Sequence, residues 1–112
     1  MQSENLAIAQ GQLDAYNAQD LDAHAAFYAD NLVVSNLNEA TNLEGIAAYK
    51  ERMGGVFSQF PENRVELLNR MVASNKVVDH EKVIRAPGAE PFEVIVIYTI
   101  EAGKISRADF IK

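Results

Sequence analysis

The feature that most constrains this chain is a change of hydrophobic period near Asn63. Before it, apolar residues recur at helical spacing. Leu6, Ala9, Leu13 and Tyr16 make one face of a helix over residues 2–18. Ile46, Tyr49, Met53, Val56, Phe57 and Phe60 make another, which starts near Glu44-Gly45 and is stopped by Pro61. After Asn63 the period is two. Four segments, Arg64 to Ala73, Val77 to Arg85, Phe92 to Ile100 and Lys104 to Ile111, are separated by Ser74-Asn75-Lys76, Ala86-Pro87-Gly88-Ala89 and Ala102-Gly103, connections short enough for hairpins. Helices first and an antiparallel meander after, without βαβ alternation, predict an α+β domain with its helices packed on one face of the sheet.

Smaller elements lie between the two helices. Asp20 is placed to cap a short helix through Leu21, His24, Ala25, Phe27 and Tyr28, with His24 superficial. Asp30-Asn31 then turns the chain, Leu32 to Leu37 reads as a strand by its β-branched content, and Asn38 to Asn42 as a polar loop.

Composition narrows the function classes. A length of 112 residues suits one domain, residues 1–112, with a single modest core. A net charge of −6 argues against nucleic acid or an anionic membrane surface as partner, and the basic residues are scattered along the chain. No apolar run approaches the roughly 20 residues that span a bilayer. The start, Met1 to Asn5, lacks the basic and apolar blocks of a secretory signal, so a cytoplasmic location is expected. There is no cysteine, His24 and His80 stand far apart outside any spaced ligand motif, and no glycine-rich phosphate loop occurs. The expectation is no metal and no cofactor.

The candidate chemistry lies in Val77-Val78-Asp79-His80-Glu81-Lys82-Val83, which sets consecutive ionisable groups inside a strand. Alternation puts Asp79 and Glu81 on one face and His80 and Lys82 on the other. Lysine is the residue least able to be buried without a partner, so the carboxylates are expected to face inward. An inward carboxylate must be hydrogen-bonded, protonated or used. The alternative is that Asp79 and Glu81 form the wet face of a half-solvated strand. The next strand is apolar on both faces: with Phe92, Val94, Val96 and Tyr98 toward the helices, Ile95, Ile97 and Thr99 lie outside, where a second copy of the chain is expected to cover them as a homodimer.

Several strings carry a family resemblance: Tyr16-Asn17-Ala18-Gln19-Asp20-Leu21-Asp22, Phe27-Tyr28-Ala29-Asp30-Asn31, Leu43-Glu44-Gly45, and Ile97-Tyr98 through Gly103-Lys104-Ile105. They resemble the cone-shaped superfamily of nuclear transport factor 2-like, or SnoaL-like, proteins, which includes ketosteroid isomerase, scytalone dehydratase, limonene-epoxide hydrolase and the polyketide cyclases. Over essentially the whole chain, the resemblance implies a curved antiparallel sheet wrapped around N-terminal helices. It leaves the activity open, because one scaffold hosts many chemistries. The positions of the steroid isomerase base, its oxyanion tyrosine and its protonated aspartic acid fall on Asn36, Gln12 and Val96, so that machinery is not retained. The epoxide hydrolases pair acidic groups with an arginine. No arginine accompanies Asp79 and Glu81 on their strand, and Arg107 reads as outward.

The expected site is thus a pocket for a small apolar molecule, lined by Gln12, Tyr16, Tyr28, Asn36, Val96, Tyr98 and Phe110, with Glu81 and Asp79 as an acid–base pair serving an isomerase, cyclase or hydrolase. The other reading is a non-catalytic binding or dimerisation module whose interior is filled by Phe27, Met53, Phe57, Met71 and Phe92.

Overall fold

The computed structural model describes residues 2–112. Helix α1 spans Gln2–Asn17, α2 Leu21–Ala25 and α3 Ile46–Gln59; the strands are β1 Tyr28–Asn36, β2 Thr41–Glu44, β3 Arg64–Ala73, β4 Lys76–Ile84, β5 Phe92–Glu101 and β6 Lys104–Ile111. All six strands form one sheet in the order β2-β1-β6-β5-β4-β3. The meander from β3 to β6 is antiparallel throughout. By contrast β1 runs parallel to β6, a pairing made feasible by the long excursion between them. The fold is therefore the α+β cone, with the helices against the concave face.

Local chemistry explains the element boundaries. The α1 helix ends where Gln19 takes a left-handed φ of 59° and its N–H bonds the Tyr16 carbonyl at 3.0 Å. Asp20 then caps α2 as anticipated, its Oδ1 accepting from the Ala23 N–H at 3.1 Å. The α2 helix is shorter than its apolar residues suggest, because Tyr28 already belongs to β1. The stretch read as a turn, Asp30-Asn31, is strand, and part of the stretch read as loop is β2. At the tight β5–β6 turn Ala102 and Gly103 have φ of 50° and 76°, both positive as a two-residue hairpin turn requires.

Packing fixes α1 in place. Ala9 and Leu13 sit in the core as expected, whereas Leu6 is 40% exposed and the first turn buries Asn5, which donates to the Ser74 carbonyl at 3.3 Å. At the other end Asn17 mimics a peptide group: its Nδ2 donates to the Val65 carbonyl at 2.9 Å and its Oδ1 accepts from the Val65 N–H at 2.7 Å, docking α1 on β3. Gly11 lets Phe27 pack closely on α1, since a Cβ there would lie 2.5 Å from the tip of the Phe27 ring and a larger residue would have to displace that side chain. The core joins Ala9 and Leu13 of α1 and Tyr49 of α3 to an apolar sheet face that includes Tyr28, Leu32, Val34, Leu43, Val65, Val77, Val96, Tyr98, Ile100 and Ile105.

The outer face of the sheet departs in part from expectation. Ile95 and Ile97 are half-buried there, but Thr99 is already covered within the chain, its hydroxyl accepting from Lys76 Nζ at 2.7 Å. Arg107 points outward as expected and pairs with Asp109 at 2.9 Å. Among the described residues, no helix is long and apolar enough to cross a membrane.

Candidate active site

The β4 alternation holds. Asp79 is 0% and Glu81 6% exposed, facing inward, while His80 and Lys82 are half-buried on the outer face. His80 accordingly points away from the concave side, where its Nε2 meets Glu93 Oε1 at 2.6 Å. The two inward carboxylates have different surroundings. Arg70 of β3 grips Asp79 at two points, Nε to Oδ1 at 2.6 Å and a terminal nitrogen to Oδ2 at 2.9 Å. This two-point geometry is the strong form of an arginine–carboxylate pair. Glu81 has no hydrogen-bond partner among the described residues. Burial, reinforced by the charge of Asp79 and opposed by that of Arg70, pushes its carboxyl up to about 8. At neutral pH it is mostly protonated, yet it titrates within reach of physiological conditions.

No arginine accompanies the carboxylates on β4 itself; the one that attends them, Arg70, reaches across from the neighbouring strand β3, a position the sequence reading did not consider. A β-bulge between Leu67 and Asn69 is the reason. Counting by twos inward from Val65 and Leu67 would bring Asn69 and Met71 inside and leave Arg70 outside. The extra residue at Leu68 reverses this: Asn69 pairs with His80, Arg70 with Asp79, and Met71 with Val78. Met71 is consequently 66% exposed rather than an interior filler.

A cavity of about 280 Å³ opens between the helices and the concave sheet face. Seven of the expected site residues line it: Gln12, Tyr16, Tyr28, Asn36, Glu81, Tyr98 and Phe110. The other two are displaced from it: Asp79 and Val96 are fully buried in the packed sheet layer beneath. Asp79 therefore influences the site through Arg70 and Glu81 rather than by touching a ligand. Met53 and Phe92 stand in the cavity wall and leave the space open.

Residues that the sequence did not single out complete the wall, His24 and Tyr49 foremost. His24, expected at the surface, is 1% exposed. Its Nδ1 lies 2.8 Å from the Gln12 carbonyl, which can only accept, so Nδ1 carries the proton and Nε2 accepts from the Tyr49 hydroxyl at 2.7 Å. Burial lowers its pKa, partly offset by that backbone bond, and the imidazole is neutral. The short α2 helix and the tight turn into β1 swing His24 inward, a tertiary effect with no local signal in sequence.

Gln12 is the hub of this cluster and is fully engaged. Its Nε2 donates to the Ala9 carbonyl and to the Tyr98 hydroxyl, both at 3.1 Å, and its Oε1 accepts from the Tyr28 hydroxyl at 2.8 Å. Gln12 thus has no donor left for a ligand, and its effect is to position Tyr98. Because the Tyr98 oxygen accepts from Gln12, its own O–H proton remains uncommitted among the described residues. Burial, with the charge of Glu81 beside it, raises the Tyr98 pKa well above the ordinary phenol, so it acts as a neutral donor. Burial also raises Tyr28 and Tyr49. Among the described residues, no group of three or more histidine and carboxylate side chains converges to hold a metal.

The sequence from residue 9 to residue 108 matches the SnoaL-like domain family. The chain belongs to the SnoaL-like family. No curated protein matches its sequence. Among solved structures, this SnoaL-like chain is similar to an uncharacterised cystatin-fold protein from Novosphingobium aromaticivorans, with 30% identity and a TM-score of 0.89 over 96% of this chain and 97% of the other. It is also similar to a proposed polyketide cyclase from Sinorhizobium meliloti, at 26% identity and a TM-score of 0.78 over 93% of each chain. A proposed ketosteroid isomerase from Kribbella flavida shares the fold, with 15% identity and a TM-score of 0.82 over 97% of this chain and 77% of that one.

Proposed function

We propose that this SnoaL-like protein is a cofactor-independent enzyme that moves a proton at a carbon next to a carbonyl in a small, largely apolar molecule. The observation that carries this reading is Glu81: buried, lining the cavity, without a hydrogen-bond partner among the described residues, and with its carboxyl pushed up to about 8. In its carboxylate form Glu81 takes the α-proton and becomes the carboxylic acid. Negative charge then develops on the carbonyl oxygen, where the free O–H of Tyr98 donates. Return of the proton at another carbon completes an isomerisation; attack of the enolate carbon on a second carbonyl, whose oxygen takes up the proton held by Glu81 as its π bond breaks, completes a cyclisation. Asn36, Tyr16, Tyr28 and Phe110 supply the remaining wall. The polyketide cyclase name borne by a relative at 26% identity is consistent with this class.

The direct test is proton–deuterium exchange at the α-carbon of a panel of ketones and β-keto esters in heavy water, followed by NMR. Exchange above the buffer rate, rising with pH to a plateau above about 8 and falling about 10²–10⁴-fold in Glu81→Gln, is the expected result. Ligand-induced shifts at cavity residues without any exchange would leave a binding protein and sink the enzymatic reading. We further propose a homodimer through the outer sheet face, supported by half-buried Ile95 and Ile97 paired with Ile111 and Asp109 of β6 and with His80 and Val78 of β4. Sedimentation of Ile97→Asp as a monomer, against a dimeric parent, is the outcome expected.

A further inference from the structure

The charges around the cavity run against those of the whole molecule. The chain carries 16 acidic against 10 basic residues. Yet the cavity is lined by Arg52, Arg85 and Lys112, and its single acidic lining residue among those described is Glu81. Five other basic side chains, Lys50, Arg64, Arg70, Lys82 and Arg107, lie within 4 Å of a carboxylate. None of the three at the cavity does, among the described residues. In so acidic a protein, leaving the cavity cations without counter-ions concentrates unneutralised positive charge at one place.

Two of the three are held by the cavity's own aromatic wall. The Arg85 guanidinium lies 5.3 Å from the centroid of Phe60 and 5.4 Å from that of Phe92, and Lys112 Nζ lies 5.6 Å from that of Phe110. Phe92 and Phe110 both line the cavity. Contacts to ring faces fix a cation without consuming its N–H donors. The only hydrogen bond of Arg85 among the described residues is a long one, 3.4 Å to the Tyr16 hydroxyl. Its planar fork therefore remains free, and that fork matches the two coplanar oxygens of a carboxylate.

We propose that the ligand of this cavity is a small organic carboxylate, its anionic head held by Arg85 with Arg52 and Lys112 beside it and its apolar body directed toward Glu81 and Tyr98. The inference rests on reading the cavity as a ligand site and adds the charge of the ligand. A protonated Glu81 offers such an anion no repulsion, and Asp79 is already matched by Arg70.

The test compares carboxylates with their neutral amides: benzoate with benzamide, cinnamate with cinnamamide, and cyclohexanecarboxylate with its amide, each titrated at pH 7 with amide-resolved NMR. The expected result is at least tenfold tighter binding of the carboxylate, with shifts at Tyr98 and Val94, loss of that preference in Arg85→Gln, and partial retention in Arg85→Lys, which keeps the charge but not the fork. Because Arg85 is half-buried, the exposed double variant Arg52→Gln/Lys112→Gln serves as a second probe and is expected to weaken only the carboxylates. Equal or tighter binding of the amides at the same cavity residues would overturn the anion preference and leave the cavity reading intact. Failure of every probe to shift cavity residues would overturn both.

Discussion

The two polar regions facing the cavity are built on opposite terms. Under the helices, Gln12, His24, Tyr28, Tyr49 and Tyr98 form a closed set in which nearly every donor meets an acceptor. On the sheet side, Arg70 and Asp79 satisfy one another while Glu81, two residues along the same strand face, has no hydrogen-bond partner among the described residues. Satisfied polar groups hold a fold together; an unsatisfied one stores free energy that a ligand or a proton can release. The contrast separates scaffold from reagent within one small interior, with Tyr98 at the border, held by Gln12 yet keeping one O–H proton uncommitted among the described residues.

The contrast can be broken most severely at Arg70. Arg70→Met strands a fully buried carboxylate, and urea denaturation is expected to show a loss of roughly 3–5 kcal/mol, largely restored by Arg70→Met/Asp79→Leu. If the single variant unfolds at the parental midpoint, Asp79 does not depend on Arg70 as its buried counter-ion.

At Glu81 the effect depends on pH, and its sign follows from linkage. A folded pKa of about 8, above the ordinary 4.5, means the native state keeps a proton that the unfolded chain has released across that window. The Glu81 contribution is fully present below about pH 4.5 and is lost as pH rises through about 8. Glu81→Gln should therefore leave stability at pH 4.5 nearly unchanged and raise it by a few kcal/mol at pH 9. Thermal melts across that range decide the point.

On the closed side, Gln12→Leu orphans Tyr28 and Tyr98 together and is expected to cost about 1–3 kcal/mol in the same denaturation assay. His24 acts at the acid end and with the opposite sign. Its pKa is lowered, so its stabilising share is present above about 6.5 and lost as pH falls; His24→Gln should flatten the acid limb of a melting-temperature profile. The smallest change is expected outside the cavity, where His80→Ala removes a pair with the exposed Glu93 and should shift stability by under about 1 kcal/mol.

Much of this was legible in sequence where the signal is periodic. The switch of period at Asn63 marks where helices give way to the meander, and the reluctance of Lys82 to be buried alone orients the β4 carboxylates inward, as they lie. Reading failed where the chain departs from strict repetition. His24 and Tyr49 enter the site because of how α2 and α3 pack, which no local pattern records. Arg70 and Met71 exchanged faces because one residue was added to a ladder, and the periodic count had no means of registering it.

That added residue has a consequence for how relatives of this chain can diverge. The counter-ion under the carboxylates depends on the bulge, since a regular ladder of the same residues continued from Leu67 and Glu81 would set Leu68 against His80, Asn69 against Asp79 and Arg70 against Val78 on the outer face, with no side chain replaced. Gain or loss of a bulge in this edge strand is thus a route by which a lineage can reset the proton affinity of its reaction chamber in one step.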